Sequence, residues 1–236
     1  MKTILSALAI AAASTALAVE SSNTFGILRV DSSDPVTIVA VPWVAAGTGA
    51  AINIADVVKT ANLNNGDVLH YYNGTSYDTW VLTDGAWAVP TRVGEGAGVV
   101  QPSTLPRGGA IILERKAPQG GSIGTCFYLY GQYESTAAAA TELPANAYSL
   151  IAPPKTDAAN GTIALASATW TGITSADHII LPNGNQLDWN GTAWGKKTYS
   201  GPDDWTGTWS TTDAVIPMGQ GVWFKAGTGD GKTVQW

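Results

Sequence analysis

The chain has 236 residues, a net charge of −6 and 12 lysines and arginines in all. With no basic cluster among them, it lacks the electrostatic footprint of a nucleic-acid binder, and the acidity reads as a solubility device. Its single cysteine, Cys126, excludes an intrachain disulfide, so stability must come from apolar packing, and the thiol itself reads as a small buried hydrophobe.

Met1-Lys2, an apolar run over 4–13 and Ala16-Leu17-Ala18 supply the charged start, short core and A-x-A ending of a secretory signal peptide. Cleavage is expected after Ala18, which makes 1–18 the signal. The run is shorter than the ~20 residues a bilayer-spanning helix needs. The expected location is secreted, periplasmic or the outer cell surface of a bacterium.

Short β-type runs follow. Residues 25–30 and 36–41 read as strands around the turn Asp31-Ser32-Ser33-Asp34-Pro35, and Pro42 closes the second. Ile52, Ile54, Val57, Val58 and Leu63 fall closer to helical spacing, with Asn53 as cap, and predict one short helix. Asn73-Gly74 predicts a hairpin between 68–72 and a return strand through Tyr77, Trp80 and Leu82, and Asp84-Gly85 leads into 86–89. Residues 91–104 read as loop. Leu105-Pro106-Arg107-Gly108-Gly109 then runs into the apolar 110–113.

After a Pro/Gly/Ser linker the pattern restarts. Residues 127–132 echo the first strand, and Tyr148 to Pro153 echo Val36 to Pro42. Asn183-Gly184 answers Asn73-Gly74, and Asn190-Gly191-Thr192-Ala193-Trp194 answers Asp84-Gly85-Ala86-Trp87. Ile216-Pro217-Met218-Gly219-Gln220-Gly221-Val222-Trp223-Phe224 repeats the proline-glycine phrase. Pro153 follows Pro42 by 111 positions, and Pro217 follows Pro106 by 111. A constant offset over several landmarks marks an internal repeat. The expected fold is all-β: two tandem related β-sandwich or partly open barrel units, 19–117 and 126–236, joined by a linker at 118–125. Each unit carries at most one short helix; Ala137 to Leu143 reads as loop with a brief helical turn.

Motifs with catalytic letters fail on context. Ala226-Gly227-Thr228-Gly229-Asp230-Gly231-Lys232-Thr233 fits a relaxed phosphate-loop pattern, yet three residues remain after it, too few for the helix such a loop requires. A hairpin turn into a last short strand is the expectation there. Gly120-Gly121-Ser122-Ile123-Gly124 matches a nucleophile elbow in letters, but a linker precedes it and a strand follows it. Gly47-Thr48-Gly49-Ala50-Ala51-Ile52 lacks the last glycine of a dinucleotide loop. His70, His178 and Cys126 have no ligand-pair spacing, so no zinc site is expected. No cofactor is expected. Calcium stays open at Asp203-Asp204 with Asp213, or around Asp31 and Asp34, against the plain turn preference of aspartate. The Asn-Gly-Thr triplets at 73, 160 and 190 read as turns leading into strands.

Tryptophan is the remaining signal. Trp87 and Trp194 occupy equivalent places and read as core, as does Trp223 in its apolar run. Trp205 and Trp209 instead sit in the polar, turn-rich stretch 200–210. Their rings, flanked by Asp203 and Asp204, could stack on sugars, or fold back beneath a long loop.

With the repeated Pro-x-Gly-x-Gly phrase and the Gly-x-Trp hairpins in place, the chain resembles a group of secreted two-repeat β-proteins seen chiefly among verrucomicrobia-like bacteria. Related single units are similar to accessory modules of surface proteins. The first unit departs from the pattern at Gly109-Ala110, where the second glycine falls one place early. The resemblance implies a fold and an address, and it transfers no catalytic residue. The expected function is a non-enzymatic structural or adhesive role, contacting other surface proteins or further copies through β edges, with 232–236 as a segment that docks onto a neighbouring edge. The alternative is a carbohydrate-binding module using Trp205, Trp209, Asp203 and Asp204 on polysaccharide. An extracellular hydrolase comes last.

Overall fold

The structure is a computed structural model that describes residues 25–43, 51–90, 104–105, 107–132, 140–154, 161–199 and 207–236. The signal peptide, Asp203, Asp204 and Trp205 lie outside the described residues. The fold is all-β with several separate sheets, every pairing antiparallel.

Up to residue 132 the strands are β1 (Phe25–Asp31), β2 (Val36–Ala40), β3 (Ile52–Asn53), β4 (Val58–Lys59), β5 (Val68–Tyr72), β6 (Tyr77–Thr83), β7 (Ala86–Ala88), β8 (Thr104–Leu105), β9 (Ala110–Glu114) and β10 (Cys126–Gln132). They form a five-stranded sheet β2-β9-β5-β6-β7, a three-stranded sheet β1-β10-β4 and the pair β3-β8. Beyond residue 140 come β11 (Thr141–Leu143), β12 (Tyr148–Ile151), β13 (Thr162–Ala164), β14 (Thr169–Thr171), β15 (His178–Ile180), β16 (Gln186–Trp189), β17 (Trp194–Thr198), β18 (Thr208–Ser210), β19 (Val215–Pro217), β20 (Val222–Lys225) and β21 (Lys232–Gln235). These make a six-stranded sheet β12-β20-β15-β16-β17-β18, a three-stranded sheet β11-β21-β14 and the pair β13-β19. No helix among the described residues is long and apolar enough to cross a membrane.

The turns form as their residues dictate. Asp84 and Gly85 both take positive φ, 50° and 80°, and join β6 to β7 in two residues. At the β5–β6 turn the Asn73 carboxamide oxygen accepts the N–H groups of Thr75 and Ser76, and at the β16–β17 turn Asn190 does the same for Thr192 and Ala193. Along β6 the alternation buries Asp78, Trp80 and Leu82 on one face.

Five expectations are corrected. The helix shrinks to one turn, α1 (Ile54–Val57), because the chain on either side is drawn into β3 and β4. The segment 126–132 does not open a second unit. It pairs along its whole length with β1 and partly with β4, and its Phe127 and Leu129 pack with Leu28 and Val30 in the first core. Thr141–Leu143 is a strand rather than a helical turn. Finally, β20 and β21 are not a hairpin, since the turn between them carries the chain from one sheet to another. The last strand is central, with β11 and β14 on its two sides, so 232–235 has no free edge to offer a neighbour.

Two cores result. The first gathers Val39, Leu69, Trp80, Ile111 and Phe127, the second Ile151, Ile179, Leu187, Trp194 and Phe224. A third, smaller cluster of Ile38, Ala40, Ala110 and Ala152 sits where the two large sheets meet. Small side chains let the backbones approach, and hydrogen bonds cross between them. Ala40 N–H donates to Gly219 O at 2.9 Å, Gly221 N–H to Ile38 O at 3.0 Å, and Ala152 N–H to Gly108 O at 3.3 Å. Gly108 and Gly219 lie in the two similar proline-glycine stretches of the sequence. Met218 enters the first core from the second half. A Cβ on Gly219, at φ +79°, would lie 2.5 Å from Val30 Cγ2, and one on Gly221 would lie 2.7 Å from Ile151 O. The phrase that stands out in the sequence is the docking surface between the halves.

Candidate functional site

The anticipated sugar platform is only partly described. Trp209 lies in β18, cross-strand from Lys197 and half-buried. A Cβ on Gly195 would meet Trp209 Nε1 at 2.8 Å, so the indole lies against Gly195, and its N–H is covered with no hydrogen-bond partner among the described residues. Asp213 forms an ion pair with Lys196, and Asp31 with Arg29. Among the described residues no three His, Cys, Asp or Glu side chains gather where they could hold a metal ion. Cys126 is buried, accepting from Asn62 Nδ2 at 3.4 Å.

The phosphate-loop letters have a structural explanation. Lys232 is 1% exposed, and its ammonium donates to the carbonyls of Thr228 at 2.5 Å and Gly229 at 3.0 Å. The amine is thus turned inward to hold its own loop, and cannot reach a ligand.

Trp194 is core, 2% exposed, and Trp87 packs on the first core with its indole N–H donating to Val58 O at 3.0 Å. Trp223 is the exception. In β20 the neighbours Val222 and Phe224 are fully buried in the second core, so Trp223 projects from the opposite face of the sheet. There it meets the outward residues of the other large sheet. On β5, His70 and Tyr72 share a face, and their cross-strand partners on β6 are Thr79 and Tyr77. On the six-stranded sheet, Leu150 and Ile180 flank Trp223, and Tyr148 is cross-strand from Lys225.

Together Tyr72, Tyr77, Tyr148, Ile180 and Trp223 line a pocket of about 360 Å³ between the halves. Trp223 is the centre of the aromatic set. Its ring meets Tyr72 edge-on at 5.5 Å and 68°, and Tyr148 at 6.1 Å and 89°, while Tyr77 tilts over Tyr72 at 5.2 Å. Tyr77 remains 51% exposed and Tyr148 44%, so both rings keep accessible surface at the mouth.

Beyond the lining, the two sheets carry polar side chains of mixed sign. His70 Nδ1 lies 3.1 Å from Thr79 Oγ1 and its Nε2 3.4 Å from Glu114 Oε2, with the imidazole against the edge of Tyr77. Across the cleft Lys225 Nζ stands 5.8 Å from the Tyr148 ring centroid. Next along that sheet, His178 Nδ1 lies 2.7 Å from Asp188 Oδ1, with Gln186 on the same carboxylate. Tyr71 faces the opposite way, onto the first core; burial, with the Asp78 carboxylate beside it, raises its phenol pKa above the usual value.

Sequence reasoning missed this site because its members sit 71 to 151 positions apart across the two halves, from Tyr77 and Tyr148 to Tyr72 and Trp223. The available signal was alternation: Trp223 between two apolar residues and Tyr72 two places from His70 mark outward faces. Comparison of the chain with protein-family models, curated proteins and solved structures finds no match.

Proposed function

We propose that this is a secreted or cell-surface, non-enzymatic adhesive β-protein of two related units, whose contact surface is the aromatic pocket at their junction. The observation that carries it is the pair of half-exposed tyrosines, Tyr77 and Tyr148, facing one pocket from opposite halves with Trp223 at its centre. Rings with an apolar body and a polar tip are the side chains most enriched at recognition surfaces.

The units in this reading are 25–132 and 141–235. Their pairing order supports it: the opening strands β1 and β11 each pair with the closing strand, β10 and β21, which in turn pairs with β4 and β14. The deeply buried acids Asp67 and Asp177 occupy matching places in the two units and bind backbone there.

The test uses labelled mature protein on the envelope fraction of the bacterium that makes it. Wild type is expected to be retained and the Tyr77→Ala/Tyr148→Ala double variant to wash off. Equal retention of both forms would defeat the reading. A second reading, self-association, is favoured by β1, an edge strand with Ile27 68% exposed. Native mass spectrometry showing monomer alone at high concentration would remove it.

A further inference from the structure

We infer that the pocket at the junction takes a neutral polysaccharide chain, its sugar faces packing on the mutually inclined rings of Tyr77, Tyr72 and Trp223 and its hydroxyls bonded to polar side chains beyond the lining. This rests on the junction pocket being the contact surface.

The charge around the pocket selects the class. Lys225 already stands by the Tyr148 ring, so a quaternary ammonium seated among these aromatics would face a like charge. Glu114, which pairs with His70 along β5 from Tyr72, and Asp188, which pairs with His178 on the opposite sheet, set the same repulsion against an anionic chain that runs past the pocket lining. What remains is uncharged. Both carboxylates can only accept hydrogen bonds, whereas the lysine only donates. A ligand serving both must offer donors and acceptors together, which hydroxyls do. A proline-rich peptide would suit the aromatic wall, but its prolines carry no N–H for the carboxylates. The volume, about 360 Å³, is at the small end for ligand pockets and suits a short stretch of a longer chain. The sequence points to sugar stacking at Trp205 and Trp209 with Asp203 and Asp204, of which only Trp209 is among the described residues; this proposal sets a separate site at the junction pocket.

Native affinity electrophoresis tests this with the mature protein in gels cast with mixed-linkage β-glucan, xylan or galactomannan. Alginate serves as the anionic control, and tetramethylammonium and oligoproline as competitors. At least one neutral polysaccharide is expected to retard the protein. Tyr77→Ala and Tyr148→Ala should each weaken that retardation about tenfold, equivalent to about 1.4 kcal/mol, with unchanged circular dichroism. Tyr77→Phe and Tyr148→Phe, which keep the ring, should weaken it less. No retardation by any of the three neutral polymers, while the double alanine variant still loses envelope binding, overturns the sugar inference and leaves the contact surface standing. Retardation by alginate alone, or displacement by tetramethylammonium or oligoproline, also overturns it. Neutral-polymer retardation indifferent to both alanine variants overturns the pocket as the site itself.

Discussion

The two halves bury the same acid at the same turn and neutralise it differently. In the first, Asp67 accepts the N–H groups of Asn64 at 2.9 Å and Lys116 at 2.7 Å. In the second, Asp177 accepts those of Thr174 and Gly227, both at 2.6 Å. Both carboxylates are 0% exposed. The cations have no such correspondence. Arg115, following β9, spreads its guanidinium over the carbonyls of Ser32, Asp34 and Gly124, and burial lowers its pKa against the pull of Asp67 and Asp34. Lys232, opening β21, lies 3.5 Å from Asp177 itself. The carboxylate is held by backbone geometry, so its position is fixed by the fold. A cation needs only carbonyls nearby, and turns supply those in several places.

The largest expected effect sharpens this contrast. Asp177→Ala leaves a buried ammonium without its countercharge and should cost about 3–5 kcal/mol. Asp67→Ala removes two tethers but leaves Arg115 on its carbonyls, and should cost about 1–3 kcal/mol. Urea titrations of both variants check the order; equal losses would break the distinction.

The glycine pair comes next. Gly219→Ala forces a Cβ into Val30 at positive φ and should cost about 2–4 kcal/mol. Gly108 has φ +88° and its nearest neighbour at 3.8 Å, so Gly108→Ala should cost only the backbone strain, about 1–2 kcal/mol. Thermal unfolding separates them, and a Gly219→Ala melt split into two steps would mark undocked halves.

A smaller asymmetry is alkaline. Tyr71 packs in the first half where the second has Leu181, 110 positions on. Because the folded-state phenol pKa is raised, its contribution is full below the ordinary tyrosine value near pH ~10 and is lost as pH rises through the raised pKa. Stability should therefore fall more steeply above pH ~10 in wild type than in Tyr71→Phe. The smallest effect is on stability at the cleft: Tyr77→Ala and Tyr148→Ala should each change it by under about 0.5 kcal/mol. A loss of several kcal/mol would recast those rings as core.

Local structure was legible where chemistry is local. Asn73-Gly74 and Asp84-Gly85 gave their turns, and the strands around them follow, since a hairpin needs only neighbours in sequence. Pairings between distant segments were not. The aromatic run at 126–132 looks like a beginning, yet it closes a sheet with β1, a contact about a hundred positions back. Trp223 looked like core because the sequence shows an apolar run without showing that one face meets another sheet. The repeated phrase was visible as backbone punctuation, but its use as a docking surface depends on Ala40, Ala110 and Ala152 being small where they meet it.

Amide hydrogen exchange at Ala40, Ala152 and Gly221 measures that docking directly, because each N–H donates across the junction between the halves. Docked halves should protect these amides as strongly as their strand neighbours Val39 and Phe224. Exchange at the rate of exposed loops, with Val39 and Phe224 still protected, would show two units that do not meet there and a pocket that does not form.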